Sequence, residues 1–139
     1  MASALVVYRS HTGVTRQYAQ EIAEHLRALG LTAAAASVGE ADFDALGKVD
    51  FLLLGCWTSG LFVIRQHPDG PWQSFVRAMP AATRPKVALF TTYKLVTGSQ
   101  FAKMRAALTG KTQAPVLELK SRNGHLSASD RAALEAFVA

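Results

Sequence analysis

The chain has 139 residues, half of them apolar, which suits one domain with a sizeable buried core. No apolar run approaches the ~20 residues of a bilayer span, Met1-Ala2-Ser3 has no basic flank of the kind a secretory signal carries, and the single Cys56 excludes an internal disulfide; together these features predict a cytoplasmic protein. The formal net charge is +5, but the 15 Lys and Arg are scattered, with no run of three and no interleaved aromatic stripe, which argues against nucleic acid and leaves an acidic protein partner or an anionic ligand.

Strand and helix signals alternate along the chain. Ala4-Leu5-Val6-Val7-Tyr8 is a continuous apolar run of the kind a strand buried on both faces requires. After a turn at Gly13, Val14, Tyr18, Ile22 and Leu26 repeat every four residues, which predicts a helix that Gly30 terminates. Leu31 to Ala36 reads as a second strand, although four alanines make its signal thin. Asp42 to Gly47 leaves room for a short helix, and Phe51-Leu52-Leu53-Leu54 reads as the third strand. Pro71 opens a helix whose apolar face is Trp72, Phe75, Val76 and Met79, and Pro80 stops it. Val87-Ala88-Leu89-Phe90 is the fourth strand, and Phe101, Met104 and Leu108 mark the next helix. Val116 to Lys120 alternates like an edge strand. Ser127 and Asp130 have capping-box spacing ahead of a last helix with Leu134, Phe137 and Val138 on one face.

Five strands alternating with five helices predict a parallel sheet covered on both sides. Such sheets bind ligands beyond the carboxyl ends of their strands, where the strand order reverses. The loops after strands one, three and four are therefore the places to look for chemistry.

The first loop is Ser10-His11-Thr12-Gly13-Val14-Thr15. A phosphate there would meet backbone N–H groups and the positive end of a helix dipole. Ser10, Thr12 and Thr15 add hydroxyl donors, and Gly13 lets the backbone approach closely. The loop lacks the lysine of a Walker A motif, and no GxGxxG dinucleotide fingerprint is present. The pattern Ser/Thr-x-Thr-Gly-x-Thr resembles the FMN-phosphate loop of flavodoxins, matched here by Ser10, Thr12, Gly13 and Thr15. The overall plan is similar to that family from about residue 4 to residue 138, while the specific motif covers the loop alone. The resemblance implies a single flavodoxin-like α/β domain over residues 1–139, a three-layer sandwich with a five-stranded parallel sheet in the order 2-1-3-4-5. It also implies FMN as the cofactor, with His11 and Val14 completing the phosphate loop.

Strand three leads into Trp57-Thr58-Ser59-Gly60. In the family this loop packs against the isoalloxazine ring, often through an aromatic residue, so Trp57 is the candidate on that side. Stacking there would add roughly 0.5–1.5 kcal/mol beyond burial. Trp57 comes earlier than the tryptophan of many short flavodoxins, and core packing beneath the loop is its alternative. The Trp57–Gly70 connection is long and contains Leu61-Phe62-Val63-Ile64, which reads as a flavin shield, a partner surface, a short extra strand or a packed flap. After strand four, the resemblance makes Tyr93 the candidate cover of the outer flavin face, with Thr92, Lys94 and Gly98 in the loop that binds the pyrimidine edge. Lys94 and the lack of an acid distinguish this loop from the family's glycine- and aspartate-rich version.

Cys56 has no sequence partner that would make it a nucleophile, and the four histidines show no metal-ligand spacing. Glu40, Asp42 and Asp44 fall at a helix start, where acids favour the dipole. With no acid–base pair in evidence, an FMN-binding electron carrier between redox partners is the first functional reading, its partner acidic at the docking face. Familiar flavodoxins resemble acidic proteins, whereas this chain is basic, with Lys94 in the loop after strand four and Arg65 in the long loop; a less negative potential for forming the anionic reduced flavin is expected. The alternatives are a flavin-dependent oxidoreductase of the quinone reductase or protoporphyrinogen oxidase type, and a flavin-free interaction module. The sequence does not set the oligomeric state.

Overall fold

The computed structural model describes residues 2–61 and 64–139. In chain order these form β1 (Ser3–Arg9), α1 (Val14–Ala28), β2 (Thr32–Ser37), α2 (Phe43–Leu46), β3 (Phe51–Trp57), β4 (Ser59–Leu61), β5 (Ile64–His67), α3 (Gly70–Ala78), β6 (Lys86–Thr92), α4 (Gln100–Leu108), β7 (Leu117–Ser121) and α5 (Ala128–Val138). One parallel sheet runs β2-β1-β3-β6-β7. Counting only its own strands in chain order, this is 2-1-3-4-5, the order expected. The additional strands β4 and β5 pair antiparallel inside the long Trp57–Gly70 connection. Of its apolar run, Leu61 and Ile64 lie on these strands, while Phe62 and Val63 fall outside the described residues.

Neighbouring residues on each central strand point to opposite faces, so both faces are apolar. On one face Val6, Leu53 and Phe90 pack with Tyr18, Ile22 and Leu26 of α1 and with Leu134 and Phe137 of α5. On the other, Val7, Leu52, Leu54 and Leu89 pack with Leu46 of α2, Trp72, Phe75 and Val76 of α3 and Met104 and Leu108 of α4. The result is the three-layer sandwich. β3 runs on past Leu54 to Trp57 and β6 past Phe90 to Thr92, because the parallel ladder continues through Gly55–Phe90, Cys56–Thr91 and Trp57–Thr92 after the apolar run has ended. Gly55 is needed there: a Cβ built on it would lie 2.1 Å from the Phe90 ring.

The helix ends follow the sequence signals. α1 stops at Gly30, whose φ of 96° suits glycine. The Gly30 N–H donates to Arg27 O and the Leu31 N–H to Leu26 O, satisfying carbonyls the helix end would leave open. Ser127 and Asp130 cap α5 reciprocally, and Asp130 also accepts from the buried Tyr18 hydroxyl at 2.9 Å, which ties α5 to α1. Among the described residues, no helix is long and apolar enough to cross a membrane.

Candidate functional site

The β1–α1 turn is built around Gly13, which holds φ 96° as the residue before the helix. Its N–H donates to Ser10 Oγ at 3.0 Å, and its carbonyl accepts the first helical bond from Gln17 N. Helix geometry leaves the N–H groups of Val14, Thr15 and Arg16 without intrahelical acceptors. A Cβ on Gly13 would meet no atom within 4 Å, so there is open space above the turn. Neutral amides and hydroxyls at a positive helix end form a donor set suited to a phosphomonoester.

The structure divides the three hydroxyls. Thr12 is exposed, and Ser10 is half-buried with its O–H still free to donate while its oxygen accepts from Gly13. Thr15 is 1% exposed, and its hydroxyl is shared with Thr92 at 2.6 Å. Thr15 therefore supports the turn from below with its side chain, and its backbone N–H is one of the three that the helix start leaves without an intrahelical acceptor.

A cleft of about 560 Å³ opens next to this turn at the carboxyl ends of β1, β3 and β6. It gathers His11, Thr12 and Val14 from the first loop, Trp57, Thr58 and Ser59 from the second, and Thr92, Tyr93 and Lys94 from the third. Ser10 and Gly13 line a neighbouring depression. Gly60 lies on β4, and Gly98 packs instead against Gln66, where a Cβ would lie 2.3 Å from the Gln66 amide oxygen. The side chain of Arg65 falls outside what is described.

Trp57 takes part in both the core and the cleft. One part packs against the core beneath the loop, and the ring also lines the cleft. Its indole stacks on the His11 imidazole, with centroids 4.6 Å apart and planes 24° from parallel. Tyr93, which also lines the cleft, is half-buried and has the Lys120 ammonium 5.8 Å and the Arg122 guanidinium 5.6 Å from its ring centre. The Arg122 side chain also donates to the Leu95 carbonyl. Leu95 and Val96 form an exposed apolar lip beside Lys94.

Two groups here lay outside the sequence reading. Arg122 follows the edge strand, whose loop was not among the three singled out, although the rule about carboxyl ends applies to β7 as well. Asp69 is the other: it is buried and takes the N-cap position of α3, a role that Asp69-Gly70-Pro71 could have signalled. Its Oδ2 accepts from Trp57 Nε1 at 2.6 Å and from Arg9 Nε at 2.9 Å, and its Oδ1 accepts from Trp72 N. Cys56 lies against it as well, with Sγ 3.6 Å from Oδ1. Burial pushes the Cys56 thiol far above its ordinary range, and the Asp69 charge acts in the same direction, so the thiol stays protonated and is a poor nucleophile.

Residues 6–111 match the family model described as flavodoxin. The chain belongs to the flavodoxin family. Its fold is similar to that of the two-electron reduced flavodoxin of Megasphaera elsdenii, with a TM-score of 0.76 and 19% identity over 96% of each chain. It is also similar to oxidised flavodoxin 2 of Bacillus cereus, with a TM-score of 0.74 and 19% identity over 98% of this chain and 94% of that one. A flavodoxin from the domain Archaea gives 0.69 and 16% identity over 97% and 92%. None of the curated proteins compared with the chain matches it. FMN is the cofactor of this family, and the turn and cleft described above suit its two ends: an uncharged donor set for the phosphate and an aromatic-walled slot for the ring.

Proposed function

We propose that this flavodoxin is a one-domain cytoplasmic carrier that shuttles electrons between redox partners, with the FMN phosphate on the β1–α1 turn and the ring between Trp57 and Tyr93. The convergence of three loops on one cleft beside an open helix N-terminus supports this reading. FMN, when bound, supplies the one- and two-electron chemistry. The chain's residues then have to hold and surround it. Ser10, Thr12 and the amides of Val14, Thr15 and Arg16 would take the phosphate, and Gly13 would keep the turn open. Trp57 and Tyr93 would wall the ring, with Thr58, Ser59 and Lys94 along its edges. A carrier needs no side chain to move a substrate proton.

The cations around Tyr93 bear on the partner. Lys94, Lys120 and Arg122 are exposed, and the apolar lip of Leu95 and Val96 lies among them. An apolar centre with a cationic rim favours a docking face that carries carboxylates. Titrating the purified protein with FMN tests the reading. Quenched flavin fluorescence and a retained yellow spectrum are expected, with riboflavin bound more weakly because it lacks the phosphate. Protein that stays colourless in excess FMN would overturn it. Turnover of quinones with reduced nicotinamide should be poor unless a reductase is added.

A further inference from the structure

Asp69 connects the cleft to the turn beside it. Oδ2 accepts from the Trp57 indole, which walls the ring slot, and from Arg9 Nε. Arg9 in turn donates through its Nη1 to the carbonyl of Ser10, at the base of the phosphate turn, at 3.2 Å. One carboxylate thus bridges 60 residues of sequence to Arg9 on one side and reaches Trp57 on the other. The Asp69 side chain is 9% exposed and the Arg9 side chain 35%, so the carboxylate is shielded while the guanidinium end of the pair is partly open to solvent.

We propose that Asp69 is a positioning residue that clamps the phosphate turn and the Trp57 wall at a fixed separation, so that one ligand can engage both at once. The proposal rests on the FMN reading given above for its ligand, but not for the clamp itself. An indole held in its own plane by its N–H and covered on one face by His11 has little freedom to tilt. An arginine bonded to both Asp69 and Ser10 passes that constraint on to the turn. A ligand with a ring and a phosphate then meets two sites already in register and orders less of the protein on binding.

The informative variant is Asp69→Asn. The amide can keep its oxygen on Trp72 N, preserving the cap of α3, and presents its NH₂ to the Trp57 and Arg9 donors, which it cannot satisfy. Two measurements are needed. In the protein without flavin, the Trp57 indole N–H resonance, assigned by its loss in Trp57→Phe, should move upfield and exchange faster with water in Asp69→Asn, while the Trp72 signal holds its position. In flavin titrations, FMN should bind about tenfold more weakly, the scale of one charge-assisted bond. Riboflavin should lose less, so that the preference for FMN narrows. Adding Asp69→Asn to Trp57→Phe should cost less than it does in the wild type. An unchanged Trp57 resonance, or an equal loss for FMN and riboflavin, would overturn the clamp. If wild-type protein binds neither flavin, the carrier reading fails, and the indole resonances alone decide whether Asp69 holds Trp57.

Discussion

Thr15 on α1 and Thr92 at the end of β6 share a 2.6 Å hydrogen bond, with both side chains buried beneath the cleft. Two of the loops that make the site are thus joined from below by a pair of hydroxyls. Replacing Thr15 with Val leaves the Thr92 hydroxyl without that partner and should lower stability by about 1–3 kcal/mol. The Thr15→Val/Thr92→Val double variant should lose less than the sum of the single losses. Thr12 is exposed, so Thr12→Val should change stability by no more than about 0.5 kcal/mol while weakening FMN binding. Urea denaturation set beside FMN titration separates the two threonines.

Gly55 sits under the Phe90 ring with no room for a methyl group. Gly55→Ala should cost about 1–3 kcal/mol or more through forced repacking. It should also weaken FMN binding, since Trp57 lies two residues further along the same strand. Denaturation midpoints of Gly55→Ala and Phe90→Leu/Gly55→Ala check the cause: the smaller side chain at position 90 should recover part of the loss.

Glu21 gives acid sensitivity of known sign. Burial by itself would raise its carboxyl, but the Leu126 N–H, the His125 ring and the Gln17 amide outweigh burial and hold it below the ordinary value of 4.5. A group lowered in the folded state contributes stability fully above its unfolded value and loses it as pH falls through the folded one. Stability should therefore decline on acidification below about pH 4.5, and Glu21→Gln should flatten that decline while lowering stability at neutral pH. Thermal melts from pH 7 to pH 3 measure both.

The cations around Tyr93 should raise the potential at which the flavin is reduced to its anion. One positive charge at ~10 Å in an effective dielectric of ~20 favours the anion by roughly 1.7 kcal/mol before screening. Arg122→Gln should make that potential more negative, and the difference should shrink at high salt. A redox titration at two ionic strengths tests this, and an unchanged potential would count against a cationic flavin environment.

Where local chemistry decides structure, the residues could be read in order. The four-residue step of Tyr18, Ile22 and Leu26 gave α1, Gly30 its end, and Ser127 with Asp130 the cap of α5. The alternation of strands and helices predicted the parallel sheet, whereas its order came from the resemblance of the Ser10–Thr15 loop to flavodoxins. Strand ends were harder to read. The ladder through Cys56–Thr91 and Trp57–Thr92 is set by the neighbouring strand, and neither pair looks like a continuation of an apolar run. The clamp at Asp69 was harder still, since it joins residues 60 apart that only the assembled sheet brings together. The same holds for Arg122, which reaches the Tyr93 ring from the far edge strand.

The imidazole lying on the Trp57 indole has a consequence for selectivity. A planar ligand arriving at that wall meets an indole already stacked on one face, so it gains less there than at a bare ring. Discrimination then shifts toward the anionic tail, and molecules sharing the tricyclic ring but lacking a phosphate should compete poorly for this protein.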